Sequence, residues 1–342
     1  MIYKDYPFQE LLPLLNTIPW FDARSENEYI QGHIPGAINL PILNNEHRHL
    51  VGICYKEKGK EKAIELGFEL ATPHFPMLIE KAQKYGNKAV VYCWRGGLRS
   101  QFLSELLAKN GITVFRITGG YKTYRNWCIE YFQAKNRMII LSGKTGTNKT
   151  KWIEALMENG EPTIHLEKLA NHKGSTYGGI GQPPQPTQEQ FENDLGLALH
   201  RTNGERYWIE NESRFIGKVR IPDALFNQFP SQPHIQIELE LEKRVNVILN
   251  QYANLPLDEL IDRTQAIAKR MGYEQNQQAI AFLMNGNKSE WIRCLLEYYD
   301  KTYLHSKMRS NITGKIHTLN ITESIQVHDF ISLKKQIEYE SN

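Results

Sequence analysis

The sequence predicts two consecutive α/β domains, each a parallel sheet flanked by helices, the second extended by a mostly helical C-terminal region. Three observations carry this. A chain of 342 residues exceeds one ordinary hydrophobic core. Short apolar runs alternate with amphipathic stretches, the pattern of strands joined by crossover helices. A polar stretch, Gln133-Ala134-Lys135-Asn136-Arg137, separates two such series, and the second opens on an apolar run that leads into a phosphate-binding spacing. The boundary is placed there, giving domains over 1–134 and 135–342.

In the first half, Trp20-Phe21-Asp22, Ala37 to Leu40, Ala89 to Tyr92 and Thr113 to Ile117 read as strands. Helices are expected over Pro76 to Tyr85, where proline occupies the tolerated first position, and over Leu98 to Lys109, which Asn110-Gly111 would stop. In the second half Met138 to Leu141, Thr163 to Leu166, Tyr207 to Glu210 and His234 to Leu239 are strand candidates. Lys149 to Glu158 and Glu242 to Tyr252 read as helices. Beyond Leu255 the pattern turns helical through Leu260 to Met271, Gln278 to Met284 and Glu290 to Tyr303. A late strand over Ile316 to Ile321 and a closing helix over Thr322 to Ile337 complete it. Glycine and proline density makes Gly178 to Pro186 a loop, either a linker or a cover for a substrate.

Composition narrows the function classes. No apolar run reaches membrane-spanning length, and Met1-Ile2-Tyr3-Lys4-Asp5 lacks a signal peptide's apolar core, so a soluble cytoplasmic protein with no membrane partner is expected. Cys54, Cys93, Cys128 and Cys294 lie far apart with no Cys-x-x-Cys pair, which argues against a disulfide framework and a structural zinc. The net charge of +3 permits an RNA partner without requiring one.

Tyr92-Cys93-Trp94-Arg95-Gly96-Gly97-Leu98-Arg99-Ser100 concentrates chemistry. A strand delivers one cysteine into a glycine-rich loop with two arginines, ahead of a helix whose positive end would face it. Such surroundings favour a thiolate able to attack or carry a soft atom, which makes Cys93, with Arg95 and Arg99, the candidate catalytic group. The competing reading is a cysteine that simply ends a buried strand.

Ser142 to Thr150 supplies the second candidate site. Following a strand and preceding a helix, Gly143, Lys144, Thr145 and Gly146 would cradle phosphate oxygens with backbone N–H groups. Lys149 would neutralise them and Thr150 could hold Mg²⁺. Asn148 stands where the motif usually has its second glycine, and asparagine tolerates the left-handed backbone that this turn needs. Tyr207 to Arg214 brings a strand to Glu210 and Glu212. Of these Glu210 is the preferred group for organising Mg²⁺ or a water, the two carboxylates diverging if the strand ends between them. Arg214, His172 and Lys173 are candidates for binding diphosphate or RNA backbone, the alternative being solvated surface. His33 is read as structural, Asp22 as orienting a neighbouring loop, and Tyr298, Tyr299 and Tyr303 as core residues, the alternative being stacking on an anticodon base.

Asp22 to Ala37 resembles the opening signature of a rhodanese domain, and Cys93 to Ser100 resembles its active-site loop. Val51 to Lys56, Gly119-Gly120-Tyr121-Lys122, the phosphate loop, Leu169 to Ser175, Gly181 to Pro186, Glu210 to Gly217 and Leu295 to Asp300 make the chain similar, over nearly its full length, to the tRNA 2-selenouridine synthase family. The resemblance implies a rhodanese-like domain followed by a P-loop NTPase-like domain. It implies an enzyme acting on the wobble uridine, position 34, of tRNAs for Lys, Glu and Gln, replacing the sulfur of 2-thiouridine with selenium from selenophosphate. S-geranylation from geranyl diphosphate is implied as the intermediate step, and a selenophosphate-supplying enzyme as a partner. Carried over, Cys93 is the catalytic cysteine, Arg95 and Arg99 its loop partners, and Lys149-Thr150 the phosphate-site pair. Asn148 and Lys173, where glycine and arginine are usual, put tight nucleotide-like phosphate binding in doubt more than the cysteine chemistry. Mg²⁺ is the one metal expected; zinc, haem and flavin are not, and ATP hydrolysis is not predicted.

Three other readings stay open on the sequence: a rhodanese-type sulfurtransferase, a Cys-x5-Arg phosphatase from the Cys93–Arg99 spacing, and a non-catalytic tRNA-binding module with a decayed phosphate loop.

Overall fold

In the computed structural model, residues 3–252, 255–309 and 311–340 are described, and side chains 306–309 are left aside; Met1 and Ile2 of the N-terminal reading lie outside this range. The chain forms two compact units, Met1–Tyr131 with Glu192–Leu197, and Phe132–Phe191 with Ala198–Asn342.

The first unit is built on a five-stranded parallel sheet: β1 (Lys4–Tyr6), β2 (Trp20–Asp22), β3 (Ile38–Asn39), β4 (Lys88–Tyr92) and β5 (Thr113–Ile117), in the order β1-β5-β4-β2-β3. Parallel strands need covered faces, so β4 reads Ala-Val-Val-Tyr, all buried, in a core with Phe21, Leu103 and Leu107. β4 sits centrally, which places Cys93 at its carboxyl end, the side where open α/β sheets present ligands. β1 was not foreseen: three residues, two of them charged, form an edge strand that alternation cannot register. Asn45–Ala71 was not foreseen either. It is a long helical segment with only Cys54, Ala63 and Ala71 buried, broken at Gly59, whose φ of 84° and ψ of 179° are non-helical.

Glu192–Leu197, the middle of the helix Gln188–Arg201, packs within this first unit. Fully buried Asn193 donates to the His33 carbonyl (2.9 Å) and to Tyr121 Oη (2.7 Å), and its own carbonyl accepts from Tyr124 Oη (2.5 Å).

The second unit holds another all-parallel sheet of β6 (Met138–Gly143), β7 (Thr163–Ile164), β8 (Tyr207–Glu210), β11 (His234–Glu238) and β12 (Ile316–Asn320), in the order β12-β11-β6-β8-β7. A small antiparallel hairpin, β9 (Phe215–Ile216) with β10 (Val219–Arg220), follows β8. Central β6 is buried throughout, and β8 aligns Glu210 beside Leu141, so the phosphate-loop candidate and the carboxylates emerge from neighbouring strand ends. A separate helical core gathers Tyr177, Leu260, Leu283, Trp291, Leu295 and Tyr298, which confirms the helical C-terminal region and places Tyr298 in it. Tyr299 packs against that core, and Tyr303 donates to Gln236 Oε1 (2.8 Å). No helix among the described residues is long and apolar enough to cross a membrane.

Candidate active site

Each unit carries one candidate centre. In the first, Cys93 is 3% exposed, with Sγ 3.1 Å from Ser100 Oγ and 3.8 Å from the Gly97 carbonyl. Ser100 Oγ also donates to that carbonyl at 3.0 Å, so one hydroxyl ties thiol and loop together. The loop is seated from behind. Tyr121 N–H donates to the Cys93 carbonyl (2.8 Å) and Lys122 N–H to the Trp94 carbonyl (3.0 Å). A Cβ on Gly120 (φ 63°) would lie 2.3 Å from the Cys93 carbonyl oxygen and 2.6 Å from the Gly96 nitrogen, which gives the Gly119-Gly120-Tyr121-Lys122 stretch its physical reason.

The two loop arginines differ. Arg95 is exposed and forms no ion pair among the described residues. Arg99 is half-buried and bidentate to Glu28, at 2.5 and 3.2 Å. Although burial opposes it, this pairing holds the Glu28 carboxyl below the usual carboxylate range. Glu28 also closes the capping box of the helix Glu26–Gln31 with Ser25, so it fixes the loop arginine to the opening signature of the chain. Deeper still, Asp22 and Arg24 are 0% and 1% exposed and paired at 2.6 Å. The Arg24 guanidinium also donates to the Gly32 carbonyl and lies 4.0 Å from the centre of the Tyr121 ring. Despite burial, Asp22 raises its pKa. Asp22 thus orients a neighbouring segment, as expected, and His33 is structural, stacked on Tyr29 at 3.8 Å with Nδ1 on the Tyr29 carbonyl.

In the second unit the loop Gly143–Thr150 joins β6 to the helix Lys149–Glu158. Asn148 adopts φ 65° and ψ 27°, the left-handed conformation required where glycine is usual. A Cβ on Gly143 would meet Thr147 Oγ1 at 2.5 Å, and one on Gly146 (φ 83°) the Arg244 carbonyl at 3.1 Å. Lys149 Nζ donates to the Gly143 carbonyl (3.1 Å), folded over the loop it would serve. Lys144 is drawn to Asp300 (3.6 Å), and buried Arg244 clamps both Asp300 (2.6 and 2.9 Å) and the Thr145 carbonyl (2.8 Å). That clamp gives Asp300 a structural role at the loop.

Beside the loop, Glu210 ends β8 at 1% exposure, its Oε2 accepting from Glu167 N–H (3.1 Å) and lying 3.4 Å from His165 Nδ1, its Oε1 buried without a partner. The strand stops there, so Glu212 turns away from the β8 alternation. It meets Glu167 at Gly174 instead, where a Cβ would sit 2.5 Å from Glu212 Oε2 and 3.1 Å from Glu167 Oε1. Burial first, then the neighbouring Glu167 charge, raises the Glu212 carboxyl to about 8; burial and Glu210 raise Glu167. Burial lowers the His165 pKa, but the carboxylates of Glu210, Glu167 and Glu154 together outweigh it, so it ends raised. Thr150 Oγ1 donates to Glu167 Oε2 (2.8 Å), which makes Glu167 the site residue that sequence reading missed. Its signal was weak: one carboxylate after a two-residue strand.

Arg214 is engaged by Asp223 (2.7 Å), near the Arg220–Asp223 pair, and so braces the β9–β10 region. His172 is half-buried with Nδ1 unpartnered, and burial with the Arg263 charge lowers its pKa; Lys173 is exposed. The Gly178–Pro186 stretch is a loop pinned through Gln185, which donates to the Ala170 and Ile216 carbonyls and accepts from Lys218 N–H. Among the described residues no group of three or more His, Cys, Asp or Glu side chains is arranged to hold a metal ion by itself.

Residues 8–126 match the rhodanese-like domain, and residues 136–332 match the tRNA 2-selenouridine synthase AAA domain. The chain belongs to the tRNA 2-selenouridine synthase family. Proteins named tRNA 2-selenouridine synthase are similar to it over most of their length. The one from Marinobacter nauticus is 35% identical over 329 residues, covering 84% of this chain and 88% of its own. Those from Nitrosomonas europaea and Hydrogenovibrio crunogenus are each 34% identical, covering 86% and 89% of this chain and 90% and 92% of theirs. Membership in the tRNA 2-selenouridine synthase family makes the chain an enzyme of two domain types, with one of the two centres described above in each.

Proposed function

We propose that the protein replaces the sulfur of 2-thiouridine by selenium at the wobble position of tRNAs for Lys, Glu and Gln, with selenophosphate as donor and S-geranylation from geranyl diphosphate as the preparatory step. In that step the uridine sulfur bonds to geranyl carbon 1 as the carbon–oxygen bond breaks and diphosphate leaves. Selenium then bonds to uridine carbon 2 as the carbon–sulfur bond breaks and geranylthiol departs, a far better leaving group than sulfide. The selenium–phosphorus bond of the donor is hydrolysed, leaving phosphate.

Cys93 is the catalytic thiol of the selenium step in this reading, Arg95 the exposed cation that draws an anionic donor, and Arg99 the residue that holds the loop through Glu28. The loop Gly143–Thr150 binds the phosphate group of selenophosphate, with Lys149 moving from the Gly143 carbonyl to the anion. The observation that carries the reading is a buried thiol on a braced loop at a central strand end, in a chain whose relatives bear the synthase name. Thr150 and Glu210, whose Oε1 is buried without a partner, are the residues that would hold a Mg²⁺ ion, which takes only one or two protein ligands beside phosphate oxygens and water. It would supply charge neutralisation of the phosphate.

Purified protein given 2-thiouridine tRNA should yield S-geranyl nucleoside with geranyl diphosphate and 2-selenouridine once selenophosphate is added, read by nucleoside mass spectrometry. Unmodified nucleoside under both conditions overturns the reading. Lys149→Ala should weaken selenophosphate binding about 10- to 100-fold, the worth of one charge-assisted hydrogen bond, measured by titration calorimetry.

The raised carboxyl of Glu212 has a stability signature. The folded state keeps a proton that the unfolded chain gives up above about pH 4.5, so its contribution is complete below that value and lost as pH rises through about 8. Glu212→Gln should match the wild type near pH 5 and grow progressively more stable than it towards pH 8.5 in denaturant titrations. A constant difference across that range overturns the assignment.

A further inference from the structure

We propose that the first unit carries a binding pocket for a prenyl diphosphate, a hydrocarbon chain with a diphosphate head, between the arms of the kinked Asn45–Ala71 segment and the start of the helix Leu98–Lys109. The cavity there measures about 740 Å³, within the range of small-molecule sites. Gly59 breaks the segment so that its second arm returns along the first; a Cβ on Gly67 would come within 3.8 Å of Val51 Cγ2. The walls are aliphatic and aromatic, with Ile42, Leu43, Ala63, Ile64, Phe75 and Phe102 among them. Ile53, Tyr55, Phe68 and Leu98, all lining the cavity, are each at least 40% exposed. Four large apolar side chains left uncovered in one place mark a site for a ligand rather than scattered surface.

Charge selects the kind of ligand. Arg48, His49, Lys56, Lys60 and Arg99 line the cavity and no Asp or Glu does. The segment itself carries Glu46, Glu57, Glu61, Glu65 and Glu69, and none of them lines the cavity. Arg48 and Arg99 share Glu28, at 3.8 and 2.5 Å. Lys56 and Lys60 are exposed and form no ion pair among the described residues. An apolar interior with a rim that stays cationic through Lys56 and Lys60 is complementary to a hydrocarbon with an anionic end. Phe68 and Phe102 meet edge to face, 4.3 Å between ring centroids at 62°, rather than as parallel platforms, which with the branched aliphatic walls favours a chain over stacked RNA bases. The pocket also adjoins the catalytic loop, because Leu98 and Arg99 follow Gly97, whose carbonyl touches Cys93 Sγ at 3.8 Å.

The choice of geranyl diphosphate as the probe rests on the geranyl-transfer reading; the pocket itself does not. Full-length protein is labelled with a benzophenone-bearing analogue of geranyl diphosphate and the adduct mapped by peptide mass spectrometry. Labelling is expected within residues 42–75 and 98–102, competed by geranyl diphosphate but not by inorganic diphosphate or dodecyl phosphate. Lys56→Glu/Lys60→Glu and, separately, Ile64→Trp should each weaken geranyl diphosphate binding at least tenfold, with thermal unfolding unchanged. Labelling confined to the Gly143–Thr150 loop, or unchanged affinity in both variants, overturns the pocket and leaves geranyl transfer standing. Equal competition by dodecyl phosphate overturns the prenyl assignment, as does an anticodon stem-loop RNA that crosslinks to Tyr55 or Phe68 and is not displaced by geranyl diphosphate. Pocket labelling in a protein that never geranylates tRNA overturns the transfer reading and leaves the pocket.

Discussion

Cys93→Ser should lower 2-selenouridine formation at least about 100-fold, because a hydroxyl is a far weaker nucleophile than a thiol at neutral pH. The fold should survive. Serine is slightly smaller, the site is buried, and Ser100 Oγ, 3.1 Å from Sγ, can hydrogen-bond the new hydroxyl. S-geranylation should persist, since the uridine sulfur is its own nucleophile in that step. Nucleoside mass spectrometry reads both products, and circular dichroism reads the fold. Undiminished selenation in the serine variant would remove Cys93 from the mechanism, and loss of both products with an intact fold would mean that the thiol serves the geranyl step as well.

Asp22→Ala should cost about 3–5 kcal/mol, the usual penalty for stranding one partner of a buried ion pair. Arg24 sits at 1% exposure, with the Gly32 carbonyl and the rings of Tyr121 and Trp94 left in place of a bidentate carboxylate. At about 2–4 °C per kcal/mol for a unit of this size, the melting transition should fall by roughly 10 °C. The double variant Asp22→Ala/Arg24→Met, which removes both charges, should recover much of that loss. If the single and double variants melt together, stranded charge is not the cause. Because Tyr121 holds the Cys93 carbonyl, the single variant should also lose amide protection at the Cys93 loop before global unfolding.

The centres of both sheets were legible in the sequence because their strands are continuous apolar runs ended by turn residues. Trp20–Asp22, Thr113–Ile117, Tyr207–Glu210 and the helices Leu98–Lys109 and Lys149–Glu158 fall where periodicity put them. Elements that bury little were not legible. The apolar positions of Asn45–Ala71 gather on no single helical face, and its break at Gly59 blurs the period further. Of the site residues, those in local motifs could be read, including the left-handed turn at Asn148. Those brought in from a distance could not: Glu28 reaches Arg99 across 71 positions, and Asp300 reaches Arg244 across 56. Linear spacing holds no trace of such pairs. Glu167 was missed for a different reason, since nothing local distinguishes it from any solvated glutamate until Thr150 and Glu212 are seen beside it.

Asn193 makes the first unit depend on sequence that comes sixty residues after its own last helix. A fragment ending at residue 134 would forfeit that asparagine and expose Cys128 where Gly196 now lies against it, a glycine whose Cβ would fall 2.5 Å from the sulfur. Dissecting the enzyme at its most obvious seam would therefore yield a sticky, partly unzipped half, and an inactive fragment of that kind would say nothing about which half performs the chemistry.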